Sequence, residues 1–207
     1  MRRVWGRATS SNVMKVMWLL EELGLAYERI DAGGSFGKTD TPEYRAMNPN
    51  GLVPTLDEDG FILWESNAIL RYLCAAHAPE TAFWPAEPRA RATIDHWMDW
   101  QQTTLSRSMT IIFQGLVRTP PEKRNPEAIE AAIKDCSRIW GILDAELARR
   151  TYVGGTIFTL ADIPLGVHVH RWFTMEFSRP SLPRLEAWYN RLCERPPYRT
   201  HVALPLA

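Results

Sequence analysis

The sequence has few cysteines and no long apolar run. Its three cysteines, Cys74, Cys136 and Cys193, are odd in number, far apart and without C-x-x-C spacing. They therefore favour a reducing compartment over a disulfide framework. Unbroken apolar runs are short, as in residues 16–20, whereas a transmembrane helix needs roughly 20 apolar residues. Residues 1–3 are not followed by the apolar segment of a signal peptide, so the sequence predicts a cytoplasmic protein.

An excess of either charge is also absent, because 24 Lys and Arg residues balance 24 Asp and Glu residues. A balanced chain shows no basic footprint for nucleic acid or for an anionic membrane. We therefore expect a small ligand and no nucleic-acid or membrane partner. A chain of 207 residues can bury enough surface to fold without disulfides or a structural metal.

The chain divides into two regions with different patterns. Residues 1–78 alternate strand and helix signals, residues 89–201 have helical patterns within a second domain at 89–207, and the proline-rich residues 79–88 form a linker. This predicts an α/β domain with a mixed sheet, followed by an all-α domain. In the first domain the predicted order is β-α-β-α-β-β-α, with strands at 3–6, 26–30, 53–57 and 61–64 and helices at 12–23, 41–47 and 66–77. The second domain is predicted to hold helices at 89–116 and 127–149, one opened by 159–162, and a last one beginning at 182–183 and stopped by 195–197.

A proline within an apolar run and a Glu-Ser pair are the most informative features. Because Pro54 cannot donate to a sheet ladder, we expect residues 53–56 to form an edge strand or the start of one, which leaves the backbone of Val53 free for an extended ligand. Glu65 and Ser66 stand where a strand gives way to a helix. The hydroxyl and the helix N-terminus suit a carboxylate, and Glu65 suits an ammonium. Each feature alone also fits a purely structural edge strand or helix cap.

In this order and spacing, the segments N-P-N-G-L-V-P and E-S-N-A-I resemble the cytosolic glutathione S-transferases. The resemblance covers nearly the whole chain. It implies a thioredoxin-like first domain and an all-helical second domain, with glutathione as co-substrate. It also implies a cis peptide at Pro54, with Val53 pairing through its backbone to the cysteinyl part of glutathione. Glu65 and Ser66 would then hold the γ-glutamyl end.

Small polar residues precede the first helix, where residues 8–12 read A-T-S-S-N. Hydrogen bonds and a helix dipole at this position favour a thiolate. By resemblance to bacterial serine-type members with theta-, zeta- and nu-like features, Ser10 activates the glutathione thiol and Asn12 assists it. Helix capping is the alternative for Ser10, Ser11 and Asn12, and the residue that dominates activation stays open. The loop holds no tyrosine or cysteine, which argues against tyrosine-type and mixed-disulfide classes.

Fewer residues indicate where the glycyl end of glutathione and the electrophile would bind. A His-Lys pair and a Gln two residues before the cis-proline are typical of phi-like members, whereas Leu52 occupies that Gln position here. Lys38 is therefore the candidate for the glycyl carboxylate. The candidate walls of the electrophile pocket are Arg107, Met109, Ile112, Phe113 and Trp172, with Arg118 as a further contact for an anionic substrate.

No metal site is predicted. His168 and His170 are two positions apart and so lie on different faces of a helix. Asp162, in the segment T-L-A-D, is interpreted as a structural helix cap rather than a catalytic carboxylate.

The resemblance implies a homodimeric cytoplasmic transferase that conjugates the glutathione thiolate to small electrophiles in detoxification. The richness in Trp, Tyr and Phe also favours a second subunit, if one small core cannot bury them all. A glutathione-dependent dehalogenase, isomerase or peroxidase would use the same site. A ligand-binding or regulatory member of the fold is the non-enzyme alternative. The sequence does not name the electrophile.

Overall fold

A four-stranded mixed sheet forms the centre of the N-terminal domain in this computed structural model, which describes residues 1–206. The strand order is β2-β1-β3-β4, where β1 pairs parallel to β2 and antiparallel to β3, and β3 pairs antiparallel to β4. A parallel pair requires a crossover connection, and helix α1 supplies it between β1 and β2. The strands are β1 (Arg2–Trp5), β2 (Glu28–Ile30), β3 (Thr55–Glu58) and β4 (Phe61–Trp64).

The predicted order β-α-β-α-β-β-α is confirmed, and the domain has the thioredoxin-like arrangement. Its helices are α1 (Ser11–Glu22), α2 (Pro42–Met47) and α3 (Ser66–His77). Every residue of α1 from Val13 to Leu20 is buried, because this helix packs against α3 on one side and against helices of the C-terminal domain on the other. Helix α1 is therefore the shared wall of the two domains.

The second domain is all-helical, as predicted. Its helices are α4 (Pro88–Trp100), α5 (Ser106–Phe113), α6 (Pro126–Glu146), α7 (Asp162–Thr174), α8 (Pro183–Cys193) and α9 (Pro196–His201). The single helix predicted at 89–116 is divided, since a π-helical turn at Gln101–Leu105 separates α4 from α5 and a second follows α5 at Gln114–Arg118. Helix α9 was not predicted. The sequence R-P-P suggested a stop, whereas Pro196 occupies the first helical position, where proline needs no hydrogen-bond partner.

The expected edge strand is wrong, because β3 lies between β1 and β4 inside the sheet. Pro54 causes no break, since it precedes the first ladder residue, Thr55, which pairs with Trp5. The Val53–Pro54 peptide is cis. Val53 forms no hydrogen bond with other residues in the range 1–206, so the expected free backbone does occur, at the entrance to the strand.

The aromatic residues do not require a second subunit. Trp18, Trp140, Trp172 and Trp188 are all fully buried in one continuous core that spans both domains. The abundance of aromatic residues therefore gives no support of its own to a homodimer. Within residues 1–206, every helix is too short or too polar to cross a bilayer.

Candidate active site

Three segments from the N-terminal domain meet at one corner of the sheet: the start of α1, the Val53–Pro54 loop and the start of α3. Gly6 allows the close approach, since a Cβ there would lie 2.4 Å from Cγ2 of Val13 and 3.3 Å from Cβ of Val53. Ser66 Oγ donates to Asn12 Oδ1 over 3.3 Å, which joins α3 to α1. The structure therefore brings the predicted residues of all three segments together.

Ser10 lies directly before α1 with an extended backbone, and its side chain caps no helix amide. Its N–H donates to the carbonyl of Arg7 over 3.1 Å, which fixes the backbone. The side chain is nearly buried, and its hydroxyl has no hydrogen-bond partner within residues 1–206. The capping alternative for Ser10 is thus not what the structure shows, and the hydroxyl is available for a ligand at the helix N-terminus.

Glu65 precedes α3 in the left-handed region, with φ of 71°, a conformation that non-glycine residues rarely adopt and that clusters at functional sites. Its side chain is exposed and forms no ion pair within the part of the chain that the structure describes. Ser66, the first residue of α3, is buried. A carboxylate and a hydroxyl therefore flank a helix N-terminus, as the head-group prediction requires.

Lys15 is a residue of this site that the sequence interpretation missed. Its ammonium is fully buried beneath Ser66, 2.9 Å from Gln101 Oε1 and 3.4 Å from both Ser66 Oγ and Asn67 Oδ1. Burial lowers the pKa of Lys15 to about 7; the charge of Glu65 opposes this shift and that of Arg171 adds to it. The signal was present as a lysine inside the apolar run V-M-K-V-M-W.

The Lys15 interactions extend into the helical domain through Gln101. Gln101 lies in the first π-helical turn, a feature often found at functional sites, and its Nε2 is 3.0 Å from His168 Nε2. Burial lowers the pKa of His168 well below its usual value, and the charges of Lys15 and Arg171 act in the same direction, so His168 is neutral. His170 instead contacts Tyr189 and the carbonyl of Leu204. The two histidines thus have separate partners, and within residues 1–206 no group of three side chains forms a metal site.

Asp162 has the structural role that was predicted. Its buried carboxylate accepts hydrogen bonds from the N–H groups of Val153 and Thr159 and from the indole of Trp188, at 2.8 to 2.9 Å. Burial raises the pKa of Asp162 to about 6, against the effect of these hydrogen bonds. The carboxylate therefore holds the loop before α7, and α8, in place.

A small cavity lies beside the start of α1, lined by Thr9, Met14, Phe113 and Arg171 together with the C-terminal residues 204–206. Of the predicted pocket walls, the structure brings Phe113 to this cavity. It does not bring the other four: Met109, Ile112 and Trp172 are core side chains, and Arg107 is exposed and does not line the cavity. Helical periodicity marks an apolar face, but it does not distinguish a core face from a pocket face. Lys38 is exposed on the loop before α2.

Comparisons with known proteins agree with this geometry. Residues 2–75 match the family model described as glutathione S-transferase, N-terminal domain, and residues 126–191 match glutathione S-transferase, C-terminal domain. Glutathione S-transferase GstB of Escherichia coli (strain K12) is 45% identical over 206 residues, which cover 99% of each chain. Glutathione S-transferase 3 of Zea mays is 30% identical, with 99% of this chain and 95% of that protein covered.

The chain is also similar to a solved structure of the theta class glutathione S-transferase from Xanthomonas axonopodis pv. citri with glutathione bound. The two are 47% identical, with a TM-score of 0.96, and the match covers 100% of this chain and 99% of the other.

Proposed function

Because the chain belongs to the glutathione S-transferase family, we propose that the corner between α1, the Val53–Pro54 loop and α3 is where it binds glutathione and activates the thiol. The enzyme transfers the glutathione thiolate to an electrophile.

The head-group role of Ser66 carries the proposal. Ser66 lies at the N-terminus of α3, where the free N–H groups and the helix dipole attract a carboxylate, and the ammonium of Lys15 lies 3.4 Å behind its hydroxyl. The α-carboxylate of the γ-glutamyl group would bind here. The exposed Glu65 would accept the α-ammonium, a charge-assisted hydrogen bond.

Val53 and Pro54 place the middle of the peptide. The free N–H and C=O of Val53 would pair with the cysteinyl backbone in the manner of an added strand, and Val53 packs beside Gly6, close to the start of α1. Lys38 is the candidate for the glycyl carboxylate, supported by its position on the exposed loop before α2.

Ser10 and Asn12 would activate the thiol. A free thiol has a pKa of about 8.5, and each unit by which hydrogen bonds and the helix dipole lower it is worth about 1.4 kcal/mol. The free hydroxyl of Ser10 would donate to the thiolate. Asn12 would hold Ser66 through the 3.3 Å bond and assist at the thiol. The serine is a donor here and not a base, since its own hydroxyl is a far weaker acid than the thiol.

We also propose that the enzyme is a cytoplasmic homodimer that acts in detoxification. The family resemblance supports this proposal. The division into residues 1–78, a linker at 79–88 and residues 89–207 is supported by α3 ending at His77 and α4 beginning at Pro88. Dehalogenation, isomerisation or peroxide reduction would use the same thiolate, whereas the comparisons show an enzyme and therefore do not favour the non-enzymatic alternative.

Calorimetric titration with glutathione tests the head-group assignment. Glu65→Ala and Ser66→Ala each remove a hydrogen bond to a charged group, worth about 1.5 to 3 kcal/mol, so the Kd for glutathione should rise about 10- to 100-fold. Ser137→Ala, on α6, is the matched control and should leave Kd unchanged, because within residues 1–206 its hydroxyl bonds the Ile133 carbonyl alone. Unaltered affinity in both site variants would remove the assignment.

A further inference from the structure

Two arginines from separate elements, Arg118 from the second π-helical turn and Arg171 from α7, lie against the ring of Phe113 beside α1. A third, Arg7 from the loop after β1, is close enough for its charge to act on Arg171. The Cζ atoms of Arg171 and Arg118 lie 3.7 and 5.5 Å from the centroid of the Phe113 ring. Burial lowers the pKa of Arg171 to about 10, and the charges of Arg118 and Arg7 act in the same direction. The three cations are therefore close enough to repel one another.

Arg171 contacts the Phe113 ring but lacks the acidic or hydrogen-bonding partner that a buried arginine normally has. Its side chain is only 9% exposed, and within residues 1–206 it has no hydrogen bond or ion pair, although arginine is almost never buried unpaired. Two partly buried arginines elsewhere in the chain do have acidic partners. Arg195 forms two hydrogen bonds with Glu22, at 2.7 and 2.6 Å, and Arg71 bonds Asp95 and Asp99.

Arg7 has a buried Nε that has no hydrogen-bond partner within residues 1–206. It lies along Gly33 and Gly34, where an added Cβ would be 3.2 Å from Arg7 Nη1 and 3.2 Å from Arg7 Cδ, respectively. Both glycines have positive φ, 77° and 61°, which glycine adopts without strain. The two glycines thus leave room for the Arg7 side chain.

An anion is the group that such an arrangement would bind, because it would offset both the repulsion and the missing hydrogen bonds. The cavity also includes Thr9, next to the Ser10 hydroxyl at which the proposed function puts the thiolate. We propose that the electrophiles of this enzyme carry a carboxylate or similar anionic group, which Arg171 and Arg7 bind beside Phe113 while the reacting carbon faces the thiolate. This inference rests on the proposed function.

The arginines take no part in the bond changes. The thiolate sulfur forms a bond to the electrophilic carbon, and the leaving group departs with the electron pair of its own bond to that carbon. The role of the arginines is to position the substrate and to select for its charge.

Calorimetry on the glutathione-saturated enzyme tests the inference with 3,5-dinitrobenzoate and 3,5-dinitrobenzamide, which differ in charge but little in shape. Wild type should bind the benzoate at least about tenfold more tightly than the benzamide. Arg171→Met and Arg7→Met should each remove most of this preference, and Arg171→Lys should retain part of it. Arg138→Met, an exposed arginine on α6, is the matched control and should change neither affinity.

Equal affinities for the two compounds in wild type, binding of neither, or a preference that persists in both Arg→Met variants would overturn the inference. If Arg171→Met does not fold, Arg7→Met decides the matter, since it alters a partly exposed loop residue. A loss of glutathione affinity in these variants with the benzoate preference intact would assign the arginines to the glycyl carboxylate and also overturn it. Failure of wild type to bind glutathione at all would refute the proposed function instead, and the first titration separates the two cases.

Discussion

Replacing Lys15 by methionine removes a buried ammonium while keeping a side chain of similar length. The folded protein holds this ammonium with a pKa of about 7, against 10.5 in an ordinary environment. Between these two pH values the unfolded chain binds a proton that the folded chain does not, so wild-type stability should rise with pH there. Below about pH 7 the lysine is protonated in both states and its contribution is constant.

The size of the effect follows from the same two values. One proton is worth about 1.4 kcal/mol for each pH unit, so the gain from about pH 7 to about pH 9 integrates to about 2 kcal/mol. Lys15→Met also leaves Gln101, Ser66 and Asn67 without their partner, which costs about 1 to 3 kcal/mol. That cost does not depend on the charge of Lys15, and it therefore lowers the free energy of unfolding of the variant by the same amount at every pH.

Urea unfolding at several pH values separates the two contributions. The free energy of unfolding of wild type minus that of Lys15→Met should increase by about 2 kcal/mol from about pH 7 to about pH 9. Cysteines and tyrosines also titrate in this range but are common to both proteins and cancel in the difference. Lys134→Met, an exposed position on α6, should show no such trend. A wild-type-minus-variant difference that stays flat with pH would refute the lowered pKa of the buried Lys15.

The remaining predictions concern the thiol, the assembly and the core. Asn12→Ala should raise the thiol pKa of bound glutathione by less than Ser10→Ala does, because Asn12 also bonds Ser66 and only assists at the thiol. The ultraviolet absorbance of the thiolate measures both pKa values, and an equal or larger rise in Asn12→Ala would exchange the two roles. Light scattering should give about 47 kDa, twice the 23.7 kDa of one chain, and a single 24 kDa species would exclude the homodimer. Asp162→Ala should lower Tm by roughly 10 °C, since four buried donors lose their acceptor, and an unchanged Tm would contradict its structural role.

Elements with strong local signals could be predicted from the sequence. Strand β4 and helix α3 occupy residues 61–64 and 66–77, as expected, because an apolar run, a turn at 58–60 and a Glu-Ser helix start all lie within a few residues of one another. Glu65 and Ser66 could be singled out as candidates for the same reason. Their spacing from Pro54 can be read directly from the sequence.

Features that depend on distant residues could not be predicted. The central position of β3 follows from its pairing with β1, some fifty residues earlier in the chain. The burial of Lys15 depends on Gln101, and the arginine cluster combines Arg7 with Arg171 across most of the sequence. Such contacts leave no periodic pattern. An isolated charged residue in an apolar run is the only local trace that Lys15 provides.

We expect the start of α1, through the Ser10 hydroxyl, to favour the thiolate of bound glutathione. Titrating the ultraviolet absorbance of that thiolate against pH, in wild type and in Ser10→Ala, tests this most directly. In wild type the thiol pKa should lie well below the usual value of about 8.5. In Ser10→Ala it should rise clearly, while the Kd for glutathione stays within a few-fold. A titration curve that is the same in both proteins would contradict it.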